Sequence, residues 1–155
     1  MPEHPDNGTI DFLTRERAAI VEAALGDVTS RHYDAAGAPE VQRRLEALLD
    51  SAMEALAAHD LTPMVGHAQQ IAQERFDAGY DLSEVQSAFN ALESATWARV
   101  LATLPPDRFA RTLGLVSTIL GAGKDALART YVSLATDAHA PSLDLRALFA
   151  GTDSA

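Results

Sequence analysis

The sequence has no cysteine among its 155 residues, which excludes disulfides, thiolate metal sites and cysteine nucleophiles together and leaves the redox compartment unread. Aromatic residues make up 6% and runs of β-branched residues are almost absent, so little in the chain favours strands. Long apolar runs are missing too. The apolar charge-free stretch Thr112 to Gly123 has 12 residues, well short of the ~20 that a membrane helix needs. The first residues, Met1-Pro-Glu-His-Pro-Asp6, offer neither the basic start nor the apolar stretch of an export signal. Cationic charge is scarce as well: 12 Lys and Arg against 22 Asp and Glu leave a net charge of −10. Such a chain is repelled by phosphate backbones and anionic lipid, so neither nucleic acid nor a membrane is an expected partner. The expectation is a cytoplasmic protein with one domain, because this length suits a single hydrophobic core.

What is abundant is alanine, 30 of the 155 residues, and every apolar pattern repeats at helical spacing. A first helix is expected from about Ile10 to Val28, preceded by a disordered tail over residues 1–9. A second, from about Pro39 to Ala58, carries Val41, Leu45, Leu48, Leu49, Ala52 and Leu56 with charges opposite. Thr62-Pro63 reads as an N-cap followed by proline in the first turn, opening a third helix that ends near Asp77. Gly79 is placed for a left-handed turn, and Asp81 with Glu84 reads as a capping box for a fourth helix, Leu82 to Leu104. The short connection predicts that helices three and four pack as an antiparallel hairpin. After Pro105-Pro106, a fifth helix reaches about Ala138, apolar over so wide an arc that it must meet neighbours on two sides. Residues 10–140 thus form one all-α domain, a bundle of five main helices. A short helical turn and frayed tail are expected over 141–155.

Known chemical motifs are nearly all missing. Gly121-Ala-Gly-Lys124 partly matches a phosphate loop, but Thr118 stands where that motif needs glycine and Asp125 where it needs Ser or Thr. None of the five histidines has a glutamate three residues before it, as a di-iron bundle requires, and no His-Glu-x-x-His is present. No metal and no cofactor is expected. The residues that stand out are polar groups within apolar faces. Arg75 falls between Ile71 and Ala68 on the third helix, and Glu93 lies beside Phe89 on the fourth. Glu93 is level with His67 in the expected hairpin, which predicts that the two approach each other, either as a structural pair or as one that responds to pH. With Phe89, Trp97 and Tyr131 they are candidates for a ligand pocket between the fourth and fifth helices. Gly114, Ser117, Thr118 and Gly121 form a small-residue strip, expected to be either a helix crossing within the chain or the seam of a homodimer.

The segment Arg75-Phe-Asp-Ala-Gly-Tyr-Asp-Leu-Ser-Glu-Val-Gln-Ser-Ala-Phe89, continuing to Leu92, Trp97 and Leu101, resembles the amino-terminal domain family of RsbR-type stress-signalling proteins. Sugar-diacid-type regulators carry a related turn-plus-helix pattern. The resemblance extends over roughly residues 15–138. It implies a globin-like, haem-free helical domain that dimerises and serves as a sensory or protein-interaction module. Family members commonly continue into a phosphorylatable domain similar to anti-sigma-factor antagonists, which this sequence does not contain. The matching positions, Arg75, Phe76, Gly79, Leu82, Phe89 and Trp97, are fold determinants more than a catalytic set. The leading expectation is a non-enzymatic regulatory module of bacterial stress signalling, homodimeric, with an unidentified regulatory protein as partner and room for a small ligand. Two alternatives stand beside it: a haem-binding globin-type sensor with His67 as axial ligand, and a small enzyme using His67, Glu93 and Arg75.

Overall fold

A computed structural model describes residues 7–31 and 37–139. They form five α-helices, α1 (Asn7–Arg31), α2 (Ala38–Ala58), α3 (Thr62–Asp77), α4 (Leu82–Thr103) and α5 (Phe109–His139), with a 3₁₀ turn over Pro106–Arg108 leading into α5. No strand occurs among the described residues. The fold is all-α, as the helical periodicity required. The short C-terminal helical turn expected after Pro141 lies outside the described residues.

The helix ends follow from local chemistry, with two adjustments to the sequence reading. α3 is opened by Asp60, whose Oδ1 accepts from the Thr62 backbone N–H at 2.9 Å and from the Thr62 hydroxyl at 2.7 Å. Thr62 is therefore the group being capped, within the first turn, and Pro63 follows it. Asp81 does stand at the N-cap of α4 with extended backbone, but its side chain makes no capping bond. The Asp81 carbonyl accepts from the amides of Glu84 and Val85, the third and fourth residues of α4, at 3.1 and 3.3 Å. Gly79 takes the left-handed conformation expected of it, at φ +83°.

α1 begins three residues earlier than the periodicity placed it, so residues 7–9 belong to the helix and not to a tail. The reason is tertiary: Thr9 is buried, and its hydroxyl lies 3.4 Å from that of Thr112 on α5. α1 also runs through Gly26 without stopping.

The helices pack as a ring in the order α1, α2, α3, α5, α4 and back to α1, with α2 also touching α4 and α5 across the interior. The expected hairpin of α3 on α4 does not form; α3 packs mainly on α5 and only brushes α4. The buried face of α3 explains why. It presents Met64, Ala68 and Ala72, a low surface that lets α5 come close. Gly123 of α5 lies there, so near that an added Cβ would stand 2.7 Å from both Met64 Sδ and Phe89 Cε1. Phe12, Ile20, Leu45, Leu48, Leu92, Leu120 and Leu127 are fully buried in the shared core, each contributing about 1.5–3 kcal/mol of burial. Two polar ties set helix register at the rim. Arg17 holds Asp50 of α2 through two bonds of 2.8 and 2.9 Å, and Arg99 of α4 holds Glu16 of α1 at 2.8 Å. Exposed pairs of this kind add about 1 kcal/mol or less each.

Candidate functional site

Because α3 turns away from α4, a groove of about 860 Å³ opens between α2, α3 and the first turns of α4, within the size range of small-molecule sites. It lies apart from the place expected, between α4 and α5. Its apolar floor comes from Val41, Leu45 and Leu48 of α2, Ile71 of α3, and Val85 and Phe89 of α4. Its polar groups include Arg43, Arg44 and Glu40 of α2, His67, Glu74 and Arg75 of α3, and Glu84 of α4.

Three of the sequence-derived candidates meet in this groove: His67, Arg75 and Phe89. His67 and Arg75 are eight residues apart on α3 with Ile71 midway, so the three share one helix face. The His67 imidazole is half-buried, and its Nδ1 lies 2.5 Å from the Ser51 hydroxyl of α2. The same hydroxyl lies 3.1 Å from the Ala47 carbonyl, so its single proton serves one of the two contacts: it donates to Ala47 when the ring proton is on Nδ1, and to Nδ1 when the ring proton is on Nε2. Burial pushes the imidazole below its ordinary pKa, with Glu74 drawing it weakly the other way. The Arg75 guanidinium lies over the Tyr80 ring, 5.4 Å from its centroid.

The remaining candidates lie elsewhere. Glu93 does not approach His67; its two oxygens accept from the Ser117 hydroxyl at 3.0 Å and from Lys124 Nζ at 3.3 Å, both on α5. Both halves of the expected pair are thus engaged with different helices, a direct result of α4 packing on α5 and not on α3. Tyr131 is buried behind the groove, its ring edge-on to Phe76 at 5.7 Å and its hydroxyl donating to the Tyr80 carbonyl at 3.1 Å. Burial is the main reason its phenol is pushed above the ordinary value.

Trp97 is not among the residues lining this groove. It is 43% exposed on the outer face of α4, its indole N–H pointing to the Ser117 hydroxyl at 3.4 Å. Leu101, one turn further along, is 57% exposed. On the adjoining surface of α5, Gly114 and Gly121 have nothing within 4 Å of where a Cβ would be, and Thr118 is exposed. Among the described residues, therefore, no helix crosses at Gly114 or Gly121. The close crossing is at Gly123, which the sequence reading passed over, although its position three residues after Leu120 and four before Leu127 places it on the buried seam. Ser51, which orients His67, was missed for a different reason: an isolated serine at the edge of an apolar stripe gives no signal until its partner is known.

Among the described residues no group of three or more His, Asp or Glu side chains could hold a metal ion, and no helix is long and apolar enough to cross a membrane. Residues 14–147 match the family model described as the RsbT co-antagonist protein rsbRD N-terminal domain. No curated protein and no solved structure matches the chain.

Proposed function

The chain belongs to the RsbRD N-terminal domain family, the family of amino-terminal domains of RsbT co-antagonist proteins, and from that premise we propose that it is a non-enzymatic sensory module of bacterial stress signalling. It acts in the cytoplasm as a homodimer and contacts a regulatory protein, in line with the co-antagonism that the family description names. The observation that carries this reading is the outer surface of α4 and α5. Trp97 and Leu101 stand exposed there beside a glycine strip with open space above it, a combination suited to burial against another helical surface. The groove on the other side of α4 supplies the sensory half, separated from this surface by the thickness of one helix.

An enzymatic role has little left to support it, since it depended on His67 and Glu93 acting on one substrate and each is bonded on a different side of the molecule. Haem remains the second reading on one specific observation. The Ser51 hydroxyl stands against Nδ1 of His67 where an orienting partner of a metal-ligating imidazole stands, and in the tautomer with its proton on Nδ1 the ring presents Nε2 as acceptor.

Native mass spectrometry of freshly isolated protein tests the proposal. A dimer, or a complex with a co-purifying regulator, is the expected result; a bare monomer at all micromolar concentrations would overturn it. A Soret band after haem addition would decide for the second reading, and its absence would dismiss it.

A further inference from the structure

We infer that the groove between α2, α3 and the start of α4 binds a medium-chain alkyl monocarboxylate, with the carboxylate on Arg75 and the chain running along Ile71 toward His67. The inference rests on the sensory reading of this groove and names its ligand class.

Shape is the first argument. His67, Ile71 and Arg75 follow one another at four-residue intervals on a single face of α3 and all line the groove. Their backbone anchors span roughly 12 Å at 1.5 Å per residue. Opposite them stand Leu45 and Leu48 from α2 and Val85 and Phe89 from α4. Along this row the lining is apolar between His67 and Arg75, which fits an extended chain better than a compact polar metabolite.

Charge is the second. Of the three carboxylates at the groove, Glu40 is occupied by Arg43 and by Arg44, the latter at 3.4 Å. Glu74 is exposed and takes the Gln70 side-chain amide at 3.1 Å. Glu84 is exposed in the first turn of α4, where the helix N-terminus favours it. Arg75 differs from the other two arginines in the lining. It faces the Tyr80 ring, and, unlike Arg43 and Arg44, it makes no salt bridge among the described residues, Glu40 acting on it only at longer range. A partly desolvated guanidinium on a Tyr face binds an incoming carboxylate strongly because little water must be displaced and its fork matches both oxygens.

The His67 end is the third argument, and it sets the number of charges. The half-buried imidazole there faces the uncharged Ser51 hydroxyl, and burial disfavours its charged form, so that end of the groove offers no cation at neutral pH. A second carboxylate there would be buried against apolar side chains without a cation. The site therefore selects a monoanion with an apolar or hydroxyl-bearing far end and rejects a diacid of the same length.

The test titrates the full chain with decanoate, decanol and decanedioate, followed by calorimetry and by amide chemical shifts. Decanoate is expected to bind one per chain and to move the amides of Ile71, Arg75, Val85 and Phe89. Decanol and decanedioate are expected to bind at least tenfold more weakly. Arg75→Gln is expected to weaken decanoate at least tenfold while leaving decanol unchanged, and Arg75→Lys, which keeps the charge, to recover part of the loss. Equal binding of decanoate and decanol, undiminished binding to a folded Arg75→Gln variant, or shifts confined to the α4–α5 surface would each overturn the inference. If Arg75→Gln fails to fold, the comparison of the three ligands on the unaltered chain decides. Failure here is separable from failure of the wider reading: a dimer that takes up none of the three compounds refutes the ligand class alone.

Discussion

At the scale of single residues, the most informative position is Gly123. Methylating its Cα would drive a carbon to 2.7 Å from Met64 Sδ and Phe89 Cε1, both on fully buried side chains. Alanine normally gains ~1 kcal/mol over glycine inside a helix, but overpacking a closed core costs about 1–3 kcal/mol. Gly123→Ala is therefore expected to lower stability by about 1 kcal/mol or more, whereas Gly121→Ala, with open space at the same site two residues earlier, should raise the stability of the monomer; paired urea melts would show the contrast. His67 carries a second prediction. Its pKa is depressed in the folded state by burial, so as pH falls below about 6.5 the unfolded chain takes up a proton that the folded chain resists. Stability is then full above that pH and is lost as pH falls toward the folded value. Glu40, Glu74 and Glu84 as well as Arg43, Arg44 and Arg75 line the same groove, and of these Glu74 draws the imidazole against the effect of burial. Denaturation midpoints recorded from pH 7.5 to 5 should fall less steeply for His67→Asn than for the parent. An identical slope would mean that the imidazole is not shielded from water.

At the scale of helices, most of the fold could be read from the sequence because apolar spacing and the Pro and Gly signals act over a few residues. Leu45, Leu48, Leu49 and Leu56 gave α2 its face, and Pro105-Pro106 gave α4 its stop. Helix ends set by side-chain geometry were less legible. α2 ends on His59 in the left-handed conformation, φ 52° and ψ 39°, with the Asp60 amide returning to the Ala55 carbonyl at 3.1 Å, a Schellman closure for which glycine would be the usual signal. A non-glycine residue in this region costs ~1 kcal/mol or more. His59→Gly should accordingly raise the melting temperature by a few degrees, as a gain of about 0.5–1 kcal/mol does in a domain of this size. Asp60→Ala should move it the other way by a similar amount, because the Thr62 amide would lose its cap. Together the two variants show whether the α2–α3 turn is held by backbone conformation or by the aspartate.

At the scale of the whole molecule, the ring order of the helices is what the sequence did not reveal. A short loop makes two helices neighbours along the chain, but which faces meet depends on side-chain volume summed over both. The low Met64, Ala68 and Ala72 surface chose α5 over α4. That choice separates His67 from Glu93, opens the groove on one side of α4, and turns Trp97 and Leu101 outward on the other. If the outward surface is the seam of a homodimer, substitutions there must act on association and not on the fold, since a Cβ at Gly121 or Gly114 would meet nothing among the described residues. Gly121→Leu would place a bulky side chain in the approach path of a second copy, and Leu101→Lys would put an unpaired charge into an apolar contact. Both variants should shift the native mass from dimer to monomer at micromolar concentration while keeping helical content. The monomer reached by dilution of the parent should melt within a few degrees of either variant. A dimer that survives both substitutions would place the seam on a different face of the molecule, and the exposure of Trp97 and Leu101 would then mark the docking position of another protein.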